Sequence, residues 1–167
     1  YTAPRVDILN NKRPMPEGSS FDIGVYERSS DTDDIPPKVT SVTASTADGS
    51  YKIGEEVSVT VIFDKAVTVT GTPQLTLETG SSDAVVDYTS GSGTTTLTFN
   101  YTIAQGHISS DLDYVSTSSL ALNGGTIKAT GGTSVATLTL PSPGALNSLG
   151  ANKALVINLS SVLIVSK

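Results

Sequence analysis

The carboxylates spaced to hold a cation fall in two short runs. Asp31, Asp33 and Asp34 lie in Ser29–Lys38, and Asp111 and Asp113 stand two apart in Ser110-Asp111-Leu112-Asp113-Tyr114. A hard cation such as Ca²⁺ takes several carboxylate and carbonyl oxygens. Side chains two apart on an extended segment point to one side. These five aspartates are therefore the candidate calcium ligands, at a domain junction, and calcium is the one candidate cofactor. They do not follow the glycine and spacing rules of known calcium loops, and solvated surface acids are the plainer reading.

Other chemistry is thinner. Asp64 with Glu78, or Asp83 with Asp87, could be paired as glycosidase acid and base. That chemistry needs two carboxyls ~5 to 9.5 Å apart around a cleft, and nothing in the sequence builds a cleft. His107 is the only histidine and sits in Ala104-Gln105-Gly106-His107-Ile108, a loop pattern that favours a solvated imidazole over a general base. There is no Cys, which removes disulfides, thiolate zinc sites and a Cys nucleophile. No catalytic residue is assigned, and the chain reads as non-enzymatic. Tyr51, Tyr88, Tyr101 and Tyr114 offer aromatic faces to sugar rings. Trp is absent, however, and Tyr101 falls on the inward face of its strand, so core and rim positions are the default.

The elements that position these residues are short and extended. Val57-Ser58-Val59-Thr60-Val61-Ile62-Phe63 and Thr96-Leu97-Thr98-Phe99-Asn100-Tyr101-Thr102-Ile103 alternate apolar and polar residues, which sets one face of each inward. Val39–Ala44 opens the series, followed by the turn residues Asp48-Gly49. Gln74–Glu78, Ala84–Tyr88, Leu120–Leu122, Thr126–Lys128, Ala136–Leu140 and Ala154–Leu159 complete it. Asn123-Gly124-Gly125 tolerates positive φ and predicts a tight hairpin between its flanking strands. No window of eleven residues carries a helical period. Eight or nine strands over about 125 residues predict an all-β, immunoglobulin-like sandwich of two packed sheets.

Composition divides the chain of 167 residues into three zones. Residues 1–28 hold Pro4, Pro14 and Pro16 without periodicity and read as an irregular N-terminal extension. Residues 29–38 are acidic, end in Pro36-Pro37-Lys38, and read as a stiff linker. Residues 39–167 form the sandwich, with an apolar tail, Asn158–Lys167, as an extra C-terminal strand. That tail pairs within its own domain, joins the N-terminal extension, or is donated to a neighbour's sheet. No apolar run reaches the ~18–20 residues of a membrane span. With 10 Lys+Arg against 16 Asp+Glu, the net charge of −6 repels nucleic acid and anionic lipid. Ser and Thr exceed a quarter of the residues, and the first residue is Tyr rather than Met, which fits a processed or excised secreted polypeptide.

Several runs carry a resemblance. Val39-Thr40-Ser41-Val42 through Gly49-Ser50-Tyr51-Lys52-Ile53-Gly54-Glu55, then Val59–Val69, resemble the Ig-like repeats of large bacterial secreted and surface proteins of the adhesin type. So do Gly71-Thr72-Pro73-Gln74-Leu75-Thr76-Leu77, Ser110–Tyr114, Leu120–Ile127 and Leu149-Gly150-Ala151-Asn152-Lys153. The likeness covers residues 38 to about 158. It implies a secreted or cell-surface module, usually in tandem, whose partners are neighbouring extracellular domains or like subunits. The match departs at Lys128–Ser134, where such repeats often carry an Asp-rich turn, and at Asn158, where Asp is common. Both departures remove cation ligands.

A shorter likeness lies upstream. Val6-Asp7 with Asn11-Lys12-Arg13-Pro14, then Phe21–Glu27, is similar to the closing segment of secreted right-handed parallel β-helix proteins, many of which act on or bind polysaccharide. This implies that residues 1–28 are the last coil of a truncated upstream domain; the other reading of this extension is a donor segment for strand exchange. Three functions are then expected: first, a structural or adhesive module for spacing, presentation or assembly. The second is a carbohydrate-binding accessory domain, with polysaccharide as partner, and the third a strand-exchanging filament subunit.

Overall fold

The computed structural model describes residues 35–159. The chain divides into two compact units, Tyr1–Ile35 and Pro36–Lys167. The N-terminal extension, the acidic run Asp31–Asp34 and the tail beyond Leu159 therefore lie outside the described residues.

Ten strands and one helical turn follow in order among the described residues. They are β1 (Val39–Ala44), β2 (Gly49–Lys52), β3 (Glu56–Thr70), β4 (Gln74–Glu78), β5 (Ala84–Ser90), β6 (Thr94–Thr102), β7 (Asp113–Tyr114), β8 (Leu120–Ala121), β9 (Thr126–Ala129), α1 (Leu149–Asn152) and β10 (Leu155–Asn158). The protein is all-β, with a curled antiparallel sheet forming a sandwich-like fold. No helix among the described residues is long and apolar enough to cross a membrane.

The period-two pattern sets the core. Val57, Val59, Val61 and Phe63 of β3 are at most 2% exposed, as are Leu97, Phe99 and Tyr101 of β6. The two strands pair antiparallel with Val59 opposite Phe99 and Val61 opposite Leu97, so their apolar faces coincide. β6 takes one edge of β3. On the other, β1 pairs with Val59–Phe63 and β9 pairs with Val67–Thr70.

β5 turns the sheet over on itself. Its residues Ala84–Asp87 pair with β4, whereas Tyr88 and Ser90 pair with β6 across a register shift. One strand thus serves both layers, as at the corner of a sandwich. β4 in turn carries β7 and β8. Separately, β10 lies parallel to β2, with Leu155 opposite Gly49 and Asn158 opposite Lys52. Leu155 and Ile157 point into the core at 0% exposure.

Three sequence expectations change. β3 runs to Thr70, beyond Phe63, because the charged stretch Asp64-Lys65 rides over a bulge between Ile62 and Val67 before pairing resumes. Asn123 and Gly124 do adopt positive φ, 47° and 80°, and Gly125 N–H bonds Leu122 O at 2.8 Å. The turn is not a hairpin, however: β8 pairs with β4 and β9 with β3, so it carries the chain between layers. Gly125 is pressed there against β3, where an added Cβ would lie 2.3 Å from Thr70 O. Finally, Ala136–Leu140 is not a strand. It keeps alternating burial but makes only isolated bridges, through Val135 to Lys128 and Thr137 to Lys38.

The end of the proline-rich segment is part of this unit. Pro37 is buried and its carbonyl accepts Thr137 N–H at 2.7 Å. Lys38 N–H donates to Asp64 Oδ1 and Lys38 O accepts Asp64 N–H, both at 3.0 Å.

Candidate functional site

β7 and the loop before α1 build the corner that holds Asp111 and Asp113. Asp113 is buried, with Oδ1 accepting Tyr114 N–H and Oδ2 accepting Gly144 N–H, each at 2.9 Å. Asp111 is exposed, yet its carboxylate faces the same point. A Cβ added at Gly150 would lie 3.0 Å from Asp113 Oδ2 and 3.4 Å from Asp111 Oδ2. Two aspartates two apart on extended chain thus do come together, as their spacing predicts. Desolvation, and after it the charge of Asp113, raises the carboxyl pKa of Asp111 above its ordinary 3.8. Asp31, Asp33 and Asp34 lie outside the described residues. Among the described residues no three acids, histidines or cysteines gather as a metal set. What the corner visibly does is fasten residues 141–150 to β7. Tyr114 Oη adds a 2.6 Å bond to Pro141 O, and burial, then Asp113, raises the phenol's pKa.

The raised carboxyl makes a signed prediction. Asp111 binds its proton more tightly folded than unfolded, so its charge opposes folding at neutral pH. That penalty disappears as pH falls through the folded value to below 3.8. Asp111→Asn is therefore expected to stabilise the protein at pH 7 by on the order of a few tenths of a kcal/mol, the scale left after solvent screening. Thermal midpoints of the two proteins should converge below pH 3.8. A variant less stable than the parent at pH 7 refutes this.

The acid pairs considered for glycosidase chemistry are distributed as fasteners. Asp64 Oδ1 accepts Lys38 N–H, Glu78 Oε1 accepts Gly80 N–H at 3.0 Å, and Asp87 Oδ1 accepts Gln74 Nε2 at 2.8 Å. Asp64 sits on β3 and Glu78 on β4, strands with no direct pairing. Asp83 is exposed at the start of β5.

His107 is not the solvated loop residue that its neighbours suggest. It is half-buried and its ring stacks on Tyr101, centroids 5.7 Å apart and planes at 26°. Nδ1 accepts Ala104 N–H at 3.3 Å and shares a 3.0 Å hydrogen bond with the Tyr101 hydroxyl. Burial pushes the Tyr101 phenol up to about 12. The inward parity of Tyr101 predicts a buried hydroxyl needing a partner, and His107, six residues on, supplies it.

The remaining tyrosines serve separate local ends. Tyr51 Oη donates to Ala47 O at 2.7 Å, and Tyr88 Oη accepts Ser92 N–H at 2.9 Å while its ring stands edge-on to Phe99. Core and rim roles account for all four.

Two hollows were not legible in sequence, because each gathers loops distant in the chain. One, of about 210 Å³, is lined by Thr117, Ser118, Leu120, Leu138 and Thr139. The other, about 490 Å³, is lined by Ile53, Gln105, Gly106 and Leu159, where β2 and β10 both end. Set against known proteins, the chain matches no family model, no curated protein and no solved structure.

Proposed function

We propose that this chain is a non-enzymatic, extracellular Ig-like module that spaces, presents or assembles the domains attached to it. The parallel pairing of β2 with β10 carries this reading. Tension entering at Lys38 and leaving at Leu159 draws β2 toward its start and β10 toward its end. In a parallel ladder those are opposite ends, so the four residue pairs are loaded together in shear rather than opened one at a time.

The surroundings reinforce that pairing. Asp48 Oδ1 accepts Ala154 N–H at 3.2 Å and pairs with Lys153 Nζ at 3.1 Å, while Gly49 N–H bonds Ala154 O at 3.0 Å. The Ala154 N–H and then Lys153 hold the Asp48 carboxyl below its usual range. On its other edge β10 exchanges two backbone bonds with Ser109, and Leu155 O accepts Leu112 N–H at 2.8 Å. A strand fixed on both edges resists sliding.

Single-molecule stretching tests the reading without altering the core. Pulled between residues 38 and 159, the module is expected to unfold in one high-force event. Pulled between residues 52 and 159, which flank the same end of the ladder, it should open at clearly lower force, because the pairs break in sequence. Forced unfolding reports the barrier rather than the equilibrium, so both geometries share one stability. Equal forces overturn the mechanical role.

A further inference from the structure

We infer that residues 160–167 of the same chain dock in the apolar cleft at the end of β10. Two aliphatic side chains meet there half in water, Ile53 at 50% and Leu159 at 51% exposure, beside Gln105 and Gly106. The cleft of about 490 Å³ has no charged lining residue among the described residues, so it suits an apolar, uncharged occupant.

The sequence supplies one at once. Leu159 is itself a wall of the cleft, and the chain continues Ser160-Ser161-Val162-Leu163-Ile164-Val165-Ser166-Lys167. Four consecutive aliphatic residues begin three positions beyond that wall, at most about 10 Å away along extended chain. Ser160 and Ser161 are the whole link between wall and occupant. Such a short tether gives an effective concentration on the order of mM. A second copy of the chain must approach that concentration before its own tail competes. The same quartet unpaired would be an exposed, β-prone strand, the form that seeds edge-to-edge association. Docking in cis removes that hazard.

The chain has no cysteine, so paired substitutions report the contact cleanly. Ile53→Cys is combined in the full chain with Val162→Cys, Leu163→Cys, Ile164→Cys or Val165→Cys, and oxidised at micromolar concentration. Gln105→Cys replaces Ile53→Cys in a second set, for the case in which loss of the isoleucine itself loosens the cleft. A disulfide forms only where Cα atoms come within about 7 Å. An extended docked tail presents alternate residues to one side. The expected result is monomeric cross-linked chain for one alternate pair of positions, with loss of cross-linking at the other pair. Bonds only between chains, growing with concentration, overturn the inference in favour of strand exchange between copies. Equal cross-linking at all four positions, or none, overturns docking altogether.

Discussion

Phe99→Ala is expected to lower the unfolding free energy by about 3–5 kcal/mol, the range for truncating a buried aromatic. Phe99 is 0% exposed on β6, opposite Val59 of β3 on one side and Tyr88 of β5 on the other. β5 is the strand shared by both layers, so the cavity would open where the layers join and where backbone on either side is held by a ladder. The edge-to-face contact with Tyr88, centroids 6.1 Å apart at 75°, is also lost; such pairs contribute about 0.5–1.5 kcal/mol beyond their area. With no disulfide or metal set among the described residues, packing alone resists the loss. Urea titration should show a lower midpoint with an unchanged slope. Val85→Ala, on the outer side of β5 at 58% exposure, should stay within about 0.5 kcal/mol of the parent. A Phe99→Ala loss under about 1 kcal/mol would mean that the two layers do not share one core.

Strand identity is readable in this chain wherever burial on one side imposes alternation. Val57 to Phe63 and Leu97 to Tyr101 declare both strand and inward face, because a shift of one residue would put every valine in water. Pairing across long separations leaves no such mark. Gly49–Lys52 looks locally like the continuation of a turn, and only Leu155–Asn158, more than a hundred residues later, makes it a strand. Asn123-Gly124-Gly125 has the dihedral preferences of a hairpin and uses them, but its destination is decided by Gly125 fitting against Thr70 and Gly71. Ala136, Leu138 and Leu140 alternate inward correctly, yet the backbone around them makes isolated bridges at Val135 and Thr137 and single bonds from Ala136 N–H to Ile127 O and from Leu140 N–H to Thr117 O, not a ladder.

The candidate site divides along the same line. That Asp111 and Asp113 share a side follows from their spacing. That Gly144, thirty-one residues on, donates to Asp113 does not. Nor does composition distinguish an aspartate that binds a cation from one that terminates a loop. Asp48, Asp64 and Asp113 each accept backbone N–H groups from distant segments, which is how an acidic chain of small residues closes its junctions.

The turn between β5 and β6 separates steric from conformational cost within three residues. Gly91 has φ +113°, and a Cβ there would lie 2.0 Å from Thr96 O and 3.0 Å from Leu97 Cα, both backbone atoms that side-chain rotation cannot move. Gly93 has φ +90° and nothing within 4 Å of its would-be Cβ. Alanine at Gly93 therefore incurs only the left-handed backbone penalty, about 1–2 kcal/mol. Alanine at Gly91 incurs that penalty and the clash, for which overpacking adds about 1–3 kcal/mol. The expected losses are about 1–2 kcal/mol for Gly93→Ala and about 2–5 kcal/mol for Gly91→Ala. The turn cannot relax outward at low cost, because Gly93 N–H is bonded to Val67 O at 2.7 Å and Ser92 Oγ accepts Val69 N–H at 2.9 Å. Both bonds reach the second half of β3, the stretch beyond its bulge, so displacing the turn also unfastens that stretch. Parallel urea titrations of the two variants decide the matter. Equal losses would show that the Thr96 carbonyl yields freely and that β5 and β6 are not locked together at this end.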